Sequence, residues 1–310
     1  MSQLSVIICA YNPDRILLER VVESLKSQTL ELTYWELIII DNNSDIPISN
    51  WLSLKWHPRS KIVSEPKSGL IHARNRGTVE AQFEYIISVD DDTLLHPDYL
   101  ETARNIYLAD PELGIIGGRS FPIYMGDPPK WIGQFDQLLA IRDLGDEIII
   151  QQRSEEPPTE YPKVAPILIA PRKKCMEAYQ SFFENSTISK QLGRKGSSLA
   201  SGEDNDINMF IYTSGYKIGY FPELKFDHII PAFRTTKKYL AKMAYESNRS
   251  WVKMLANHHI RPWKKIEVYT VALRQLKAFF THAAWKSAAN YIKWRGACGK
   301  FKGLSELKNG

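Results

Sequence analysis

Residues 4–10 read LSVIICA and residues 35–41 read WELIIID, two apolar runs that are rich in β-branched side chains. Continuous apolar runs of this length are typical of strands that are buried on both faces of a parallel sheet. Between them, residues 15–28 carry apolar side chains at helical spacing. The stretch therefore predicts a β-α-β unit, the building block of an open, doubly wound, mostly parallel α/β sheet.

The same alternation continues along the chain and then weakens. We expect strands near 61–64, 84–89 and 113–117 and helices at 70–82 and 97–108. The proline-rich residues 120–162 and the Ser-rich residues 185–201 predict loops. Regular structure is expected again at 164–170, in helices at 171–184 and from Glu203, and in a strand at 216–221.

Cysteine usage and the N-terminal residues indicate the compartment. Cys9, Cys175 and Cys298 lie far apart and form no C-x-x-C pair, which argues against a disulfide framework and against a zinc site. The chain runs from MSQL straight into an apolar strand, without the features of a secretory signal. No apolar run reaches the roughly 18 residues that a spanning helix needs. We therefore expect a cytoplasmic protein.

Three adjacent carboxylates, Asp90, Asp91 and Asp92, follow the predicted strand at 84–89. Such neighbours repel one another unless a cation or a hydrogen-bonded turn compensates their charge. Hard oxygen ligands suit Mg²⁺ or Mn²⁺, which takes one or two carboxylates and completes its shell with water and phosphate oxygens. The alternative is an acidic turn in which Asp92 or Thr93 caps the next helix.

Five motifs occur in a fixed order within residues 4–230. They are SVIICAYN at 5–12, IIIDNNSD at 38–45, GLIHARNRG at 69–77, VDDD at 89–92 and GEDND at 202–206. With these motifs the chain resembles the family 2 glycosyltransferases of the non-processive GT-A type. The resemblance implies a GT-A fold and transfer of a sugar from a nucleotide-diphosphate sugar, most often a UDP-sugar, to an acceptor hydroxyl.

The resemblance also implies a nucleotide site at the strand ends. The turn Ala10-Tyr11-Asn12 would lie against the nucleotide, and Asp41 would contact the base. A carboxylate can accept an N–H from a uracil-like edge and so discriminate between bases. The alternative for residues 41–45 is a turn whose polar side chains bond their own backbone.

Arg74 lies in the third motif, which lines the nucleotide-sugar site in the family. Its guanidinium is suited to binding diphosphate oxygens or to fixing the aspartates. In the same motif we expect Arg76 to be a solvated partner, and Asn75 and Gly77 to serve close packing.

By family likeness, the metal ion is Mn²⁺ or Mg²⁺ and is bound directly by Asp92. Asp90 and Asp91 would support it or contact ribose, and Asp90 is a second candidate ligand. The metal would stabilise the departing diphosphate as a Lewis acid. His228 is a further candidate for reaching the metal or the diphosphate, although a lone histidine is more often an ordinary packed residue.

The pair Glu203 and Asp204 forms a second acid cluster at the start of a predicted helix. Read structurally, these acids cap the helix, whose dipole favours anions there. The resemblance instead makes Asp204, with Glu203 beside it, the catalytic group. As general base, Asp204 would take the proton of the acceptor hydroxyl while that oxygen attacks the anomeric carbon. A single displacement of this kind inverts the anomeric configuration.

Charge divides the chain near residue 231. Residues 231–310 contain 17 Lys or Arg and 3 Asp or Glu, a net charge of +14, which leaves −9 for residues 1–230. We predict a GT-A domain at 1–230, with a nucleotide-sugar half at 1–119 and an acceptor half at 120–230. A basic, aromatic-rich helical extension would follow at 231–310.

The extension is predicted to contain helices at 235–257 and 264–295. Arg234 and Lys237, near its start, could close over the phosphates. The mixture of aromatic and cationic residues in 264–310 is typical of a helix on an anionic membrane surface, and the alternative is a helical pair that packs on the core. The acceptor would then be a saccharide or lipid-linked saccharide in polysaccharide or glycolipid synthesis, at the inner face of the cell membrane.

Two other classes of protein share some of these features. A nucleotidyltransferase would also bind nucleotide and metal on a doubly wound sheet, but residues 10–14, AYNPD, lack its Gly-rich phosphate loop. A nucleic-acid-binding protein could use the basic tail, but it has no need of two acid clusters at strand-to-helix junctions. No nucleic-acid partner is therefore expected.

Overall fold

The computed structural model of the chain describes residues 3–153, 159–193, 199 and 201–307. Residues 154–158, 194–198 and 200 of the predicted loops lie outside this description. Within the described part, nine strands and eight α-helices follow one another. In chain order they are β1 (Leu4–Ala10), α1 (Arg15–Lys26), β2 (Trp35–Asp41), β3 (Ser60–Ser64), α2 (Leu70–Glu80), β4 (Tyr85–Asp90), β5 (Thr93–Leu95), α3 (Tyr99–Ala109), β6 (Leu113–Met125), β7 (Ile149–Gln151), β8 (Ala170–Pro171), α4 (Lys173–Asn185), α5 (Glu203–Thr213), β9 (Lys217–Pro231), α6 (Lys237–Asn257), α7 (Val271–Thr281) and α8 (Ala288–Ser305).

The first four strands form a parallel sheet in the order β3-β2-β1-β4. Strands β1 and β2 are mostly apolar because both faces of the sheet are covered: Val6 and Ile8 pack into one core cluster and Ile7 into another. The register places Ala10 opposite Asp41. The loops that follow β1, β2 and β4 therefore open at one edge of the sheet.

Helix α2 lies close against this sheet at Gly77. A Cβ at Gly77 would meet the Ile7 side chain at 2.6 Å, so a larger residue would push the helix away from β1. The expected role of Gly77 in close packing therefore agrees with the structure.

The remaining strands form a mixed sheet in the order β5-β9-β6-β8, and β7 also pairs with β9. Strands β6 and β9 are parallel, whereas β5, β7 and β8 run antiparallel to their partners. Contacts between β4 and the segment around β8 join the two sheets, including a bridge from Tyr85 to Arg172 and a bond from Ser88 N to Ile169 O of 3.1 Å. The α/β fold class predicted from the sequence is confirmed.

Three predicted elements differ from the structure. Strand β9 continues to Pro231 instead of ending at residue 221, because its second half pairs with β5 as well as β6. Most of residues 164–170 lies outside any strand. The single helix expected at 264–295 is broken, since Ala283 has a φ of 46° and the side chain of Ser287 caps a new helix.

The C-terminal helices pack on the second sheet. Leu240 of α6 and Ile292 of α8 share a core cluster with Ile230 of β9 and with Ile132, in the 3-10 helix Ile132–Leu139. Helices α6 and α8 approach closely at Gly299, where a Cβ would meet the Tyr245 carbonyl oxygen. Among the described helices, none combines the length and the apolar character needed to cross a bilayer.

Candidate active site

The turn after β1 is tied to the turn after β2 by Asn12. Its backbone N–H donates to Ser44 Oγ at 3.0 Å, and its side chain exchanges two hydrogen bonds with Asp45, at 2.8 and 3.0 Å. Asn12 has a φ of 45°, which asparagine tolerates better than most residues. Beside it, Ala10 is buried and Tyr11 is 59% exposed, so an aromatic face is presented at this sheet edge.

Asp41 is buried at the end of β2, and both of its carboxylate oxygens accept backbone hydrogens. Oδ1 accepts from Ser44 N at 3.0 Å, and Oδ2 accepts from Ile48 N at 2.8 Å. This is the bonding expected of a turn that uses its own side chains. A nucleotide base would have to use the lone pairs that these two bonds leave.

In the turn after β4, Asp92 is buried and lies beside the side chains of Arg234 and His228. Its Oδ2 accepts a hydrogen bond from Arg234 Nη1 at 2.9 Å, and its Oδ1 lies 3.4 Å from His228 Nε2. His228 is in register with Thr93 on the neighbouring strand, which explains how β9 brings it to the acids. The alternative of a helix cap is not observed, because Thr93 begins a strand.

The orientation of the His228 ring is set by a carbonyl group. Its Nδ1 lies 2.8 Å from Leu139 O. Because a carbonyl oxygen only accepts, Nδ1 must donate, and the Nε2 atom is turned to Asp92. Histidines that bind metals commonly hold their second nitrogen in this way.

The three aspartates differ in their affinity for protons. Partial loss of hydration and the negative charge of Asp92 both raise the pKa of Asp90. The side chain of Asp90 still has access to solvent. Burial and the charges of Asp92 and Asp90 raise the pKa of Asp91 to about 7. Burial opposes ionisation of Asp92 as well, but hydrogen bonding to His228 and attraction by Arg234 hold the pKa of Asp92 below its usual value.

The second acid cluster is organised by Arg74 of α2. Its Nη1 lies 2.7 Å from Glu203 Oε1 and 2.5 Å from Asp204 Oδ1, both in the first turn of α5. The side chains of Arg74 and Glu203 are 7% and 6% exposed, whereas that of Asp204 is 41% exposed. Since Oδ1 of Asp204 is closed off from solvent, Oδ2 is the oxygen that remains open.

Burial also shifts the charges of this cluster. It raises the pKa of Glu203 to about 7, against the opposing attraction of Arg74. Burial would lower the pKa of Arg74, but the two acids outweigh it, so the net pKa is raised and the guanidinium stays charged. These contacts pair Arg74 with Glu203 and Asp204, and its expected binding of diphosphate oxygens stays a prediction.

The two acid clusters act on each other. The charges of Asp204, Arg74 and His228 all contribute to the pKa of Asp90. Between them lies Cys9, whose thiol pKa is raised to about 12 by burial and is also affected by Arg74, Asp90 and Glu203. The acids after β4 and those at the start of α5 therefore lie within electrostatic reach of one another.

The side chains of the site supply only part of the ligands that a divalent cation needs. Among residues 3–153, 159–193, 199 and 201–307, no group of three or more His, Cys, Asp or Glu side chains is arranged to hold a metal ion. Asp92 and His228 supply one carboxylate and one imidazole with a fixed ring. Such a pair fits an ion that takes its other ligands from phosphate and water, and the imidazole favours Mn²⁺ over Mg²⁺.

A buried network that the sequence does not predict surrounds Asp206. Its carboxylate lies 2.8 Å from Tyr179 Oη, 3.1 Å from Asn257 Nδ2 and 2.8 Å from His258 Nε2, which ties α5 to α4 and to the end of α6. Asp206 stands in the GEDND motif, but its partners lie at least 27 residues away, without a spacing that marks them.

The remaining cationic side chains named from the sequence are Arg76, Lys237 and Arg234. Arg76 forms an exposed pair with Glu80 at 2.8 Å, as expected of a solvated partner. The Lys237 Nζ atom lies 4.3 Å from the centre of the Tyr291 ring. Arg234, three residues after β9 ends, reaches the acids.

Comparison with known proteins gives a family match. The family model described as glycosyl transferase family 2 matches residues 5–167. The chain is 29% identical over 135 residues to the succinoglycan biosynthesis protein ExoW of Rhizobium meliloti, covering 41% of this chain and 42% of that protein. It is 21% identical over 239 residues to a glucosyl-dolichyl phosphate glucuronosyltransferase of Haloferax volcanii, covering 75% and 71%. The match to ExoW thus spans less than half of that relative.

Solved structures share the fold. The crystal structure of S. aureus TarS 1–349 superposes with a TM-score of 0.53 at 12% identity, covering 98% of this chain and 90% of TarS 1–349. The same protein has been solved in complex with UDP-GlcNAc, and that structure superposes equally well. At this identity the likeness concerns the fold.

Proposed function

The chain belongs to glycosyl transferase family 2, and from this premise we propose that it transfers a sugar from a UDP-sugar to an acceptor hydroxyl, with inversion at the anomeric carbon. One observation carries the proposal: Arg74 holds Asp204 at the start of α5, within electrostatic reach of Asp90 at the end of β4. A donor diphosphate at the β4 edge and an acceptor beside Asp204 would then share one site.

In this proposal Asp204 is the general base. Arg74 holds Oδ1 at 2.5 Å, so the open Oδ2 can accept the proton of the acceptor hydroxyl. Glu203 contributes by holding the same Nη1 atom of Arg74, at 2.7 Å from its Oε1. Because the carboxylate is already oriented, little of the binding energy is needed to align it.

The nucleotide would lie at the ends of β1 and β2. Tyr11 offers an exposed ring for stacking, and Asn12 keeps the two turns at a fixed spacing. Asp41 maintains the second turn through its backbone bonds, and its contact with the base stays a prediction. That TarS 1–349 has been solved in complex with UDP-GlcNAc supports a uridine donor for this fold.

A divalent cation would be held by Asp92, with His228 and Asp90 beside it. When bound, Mn²⁺ or Mg²⁺ supplies Lewis-acid stabilisation of the leaving diphosphate. Arg234, already at 2.9 Å from Asp92, is placed to approach the same phosphates. The guanidinium can bind two phosphate oxygens at once, which a lysine cannot do.

We further propose that residues 1–230 form the catalytic domain and that residues 231–310 form an extension facing an anionic membrane surface. The acceptor would be a saccharide or a lipid-linked saccharide in polysaccharide or glycolipid synthesis. The enzyme would then work in the cytoplasm, at the inner face of the cell membrane.

Donor binding and the role of Asp204 can be tested together. We expect UDP-sugars to raise the melting temperature, more with Mn²⁺ than with chelator, because a ligand of the native state stabilises it. Asp204→Asn should keep this shift but lower the transfer rate about 10²- to 10⁴-fold. NMR of the product linkage checks inversion.

The matched control is Asp98→Asn, an exposed acid at the start of α3 whose side chain makes no capping bond. It should transfer sugar at the normal rate. If Asp204→Asn transferred sugar at the full rate, Asp204 would not be the general base. Retention of the anomeric configuration would exclude the inverting mechanism. Release of pyrophosphate would instead indicate a nucleotidyltransferase.

A further inference from the structure

Helix α7 exposes a stripe of apolar side chains to solvent. Tyr269, Leu273, Leu276 and Phe280 follow one another at intervals of three and four residues, which places them on one side of the segment. They are 83%, 70%, 55% and 61% exposed. A continuous apolar strip of this kind marks an interaction surface more often than chance exposure.

An aromatic cluster joins this stripe to helix α8. Phe279 lies 5.5 Å from Trp285 and 5.2 Å from Trp294, measured between ring centres. Trp294 lies 5.3 Å from Tyr291. Trp285 is itself 57% exposed, so the aromatic surface continues past the end of α7.

Tyr291 also lines a cationic cavity between α6 and α8. The cavity has a volume of about 540 Å³ and is lined by Lys237, Lys238, Ala241, Lys242, Tyr291 and Arg295. Aromatic rings hold two of its cations: Lys237 lies 4.3 Å from the Tyr291 ring centre and Arg295 lies 4.7 Å from that of Tyr245. Lys237, Lys238 and Arg295 form no ion pair with any carboxylate of the described residues.

These cations therefore lack the counter-charge that acids give elsewhere in the chain. An anion entering the cavity would be compensated by the charges of Lys237, Lys238 and Arg295. Phosphate oxygens suit such a group of amines and a guanidinium. The cavity and the apolar stripe are linked by one aromatic cluster, which runs from Tyr291 through Trp294 and Phe279 to Phe280.

We propose that this surface binds an anionic phospholipid bilayer, with a lipid phosphate in the cavity between α6 and α8 and the stripe on α7 in the interfacial region. Interfacial helices combine such an apolar face with cationic flanks, here Arg274 and Lys277. The inference concerns the tail and holds whether or not the proposed sugar transfer is correct.

The charges argue against two other occupants. Residues 271–305, which span α7 and α8, contain no acidic residue, so a second copy of the chain would bring like charges together. A nucleic acid would be attracted by the cations, but it would gain nothing from the exposed aliphatic side chains of Leu273 and Leu276.

The test is co-sedimentation of the full chain with vesicles of phosphatidylcholine alone and of phosphatidylcholine with phosphatidylglycerol. We expect pelleting with the anionic vesicles only. Alanine at three cavity lysines should lower the partition coefficient about 100-fold, since each cation near an anionic surface contributes roughly fivefold. The three substitutions are Lys237→Ala, Lys238→Ala and Lys242→Ala.

A second variant tests the stripe with Leu273→Glu, Leu276→Glu and Phe280→Glu. Because these side chains are exposed, the melting temperature should not change, while pelleting should be lost. Two matched controls should pellet normally: Leu108→Glu, a 48% exposed apolar residue on α3, and a set of three exposed lysines elsewhere. That set is Lys55→Ala, Lys130→Ala and Lys174→Ala.

Three results would overturn the proposal. The wild-type chain could fail to pellet with anionic vesicles, or the cavity variant could pellet as well as the control lysine variant. Sedimentation velocity could also show a dimer that the stripe variant dissociates, which would assign the surface to self-association. Normal sugar transfer without lipid binding would remove this inference and the proposed membrane-facing function of residues 231–310, and would leave the proposed sugar transfer standing.

Discussion

The two acid clusters of the site are neutralised in different ways. At the end of β4, Asp92 faces Arg234 and His228, and the Arg234 side chain is 23% exposed. At the start of α5, Glu203 faces Arg74, and both side chains are almost fully buried. The cluster at the start of α5 is neutralised by the buried cation of Arg74, whereas the cluster after β4 is neutralised by the partly exposed cation of Arg234.

This difference separates a structural ion pair from an exchangeable one. Removing Arg74 would leave a buried acid without compensation, and no water could replace it. Removing Arg234, whose side chain is 23% exposed, would instead open Asp92 to solvent or to another cation. We therefore expect changes at the α5 cluster to affect folding first and changes at the β4 cluster to affect activity first.

The largest effect on stability should follow Arg74→Met. The substitution keeps the length of the side chain but leaves Glu203 and Asp204 unpaired. We expect a loss of about 3 to 5 kcal/mol in the free energy of unfolding at pH 8, measured by denaturant titration. The loss should shrink at pH 5, where Glu203 can take up a proton.

The matched control for this variant is Arg76→Met on the same helix. Arg76 forms an exposed pair with Glu80, and such pairs contribute about 0 to 1 kcal/mol. If both variants lost the same free energy, or if Arg74→Met were equally destabilised at both pH values, the buried pair would not be what holds α5.

His228→Ala should affect activity more than stability. It removes the imidazole beside Asp92 and one hydrogen bond to Leu139 O, which is worth about 1 kcal/mol in stability. If His228 supports the cation, transfer should fall about 10- to 100-fold at a fixed Mn²⁺ concentration. Titration with Mn²⁺ should show a higher concentration for half-maximal activity.

The chain offers a close control in His96→Ala. Its Nε2 lies 3.4 Å from Asp227 Oδ1, the same separation as in the pair of His228 and Asp92. His96→Ala should leave the Mn²⁺ dependence unchanged. An unchanged Mn²⁺ titration in His228→Ala would show that His228 only packs the strand.

The sequence predicted the parallel sheet and the places of its acids well. Runs such as LSVIICA are apolar on both faces, which leaves a buried parallel strand as the natural conformation. An acidic run directly after such a strand must then lie at the carboxyl edge of the sheet. This pattern alone predicts that Asp90 and Asp92 lie at that edge.

The partners of these acids could not be predicted in the same way. Arg74 and Glu203 are 129 residues apart, and no periodic pattern links a residue of α2 to one of α5. The position of His228 depends on β9 pairing with β5, and the apolar run of residues 216–221 gave no sign of that second half. Ion pairs of this kind depend on tertiary register, whereas strands depend on local pattern.

The smallest expected effect is a pH dependence of stability that arises from Glu203. Burial raises its pKa from 4.5 to about 7, so between these pH values the folded chain holds a proton that the unfolded chain has released. The free energy of unfolding should therefore fall as pH rises through this window. Compared with Glu203→Gln, which cannot ionise, the wild type should lose about 1 kcal/mol more of its free energy of unfolding between pH 5 and pH 6.

Denaturant titrations of both proteins at these pH values measure the difference, and Glu80→Gln at the exposed pair should keep the wild-type slope. Parallel curves for Glu203→Gln and the wild type would mean that Arg74 keeps Glu203 ionised throughout, and the two acid clusters would then be equally compensated.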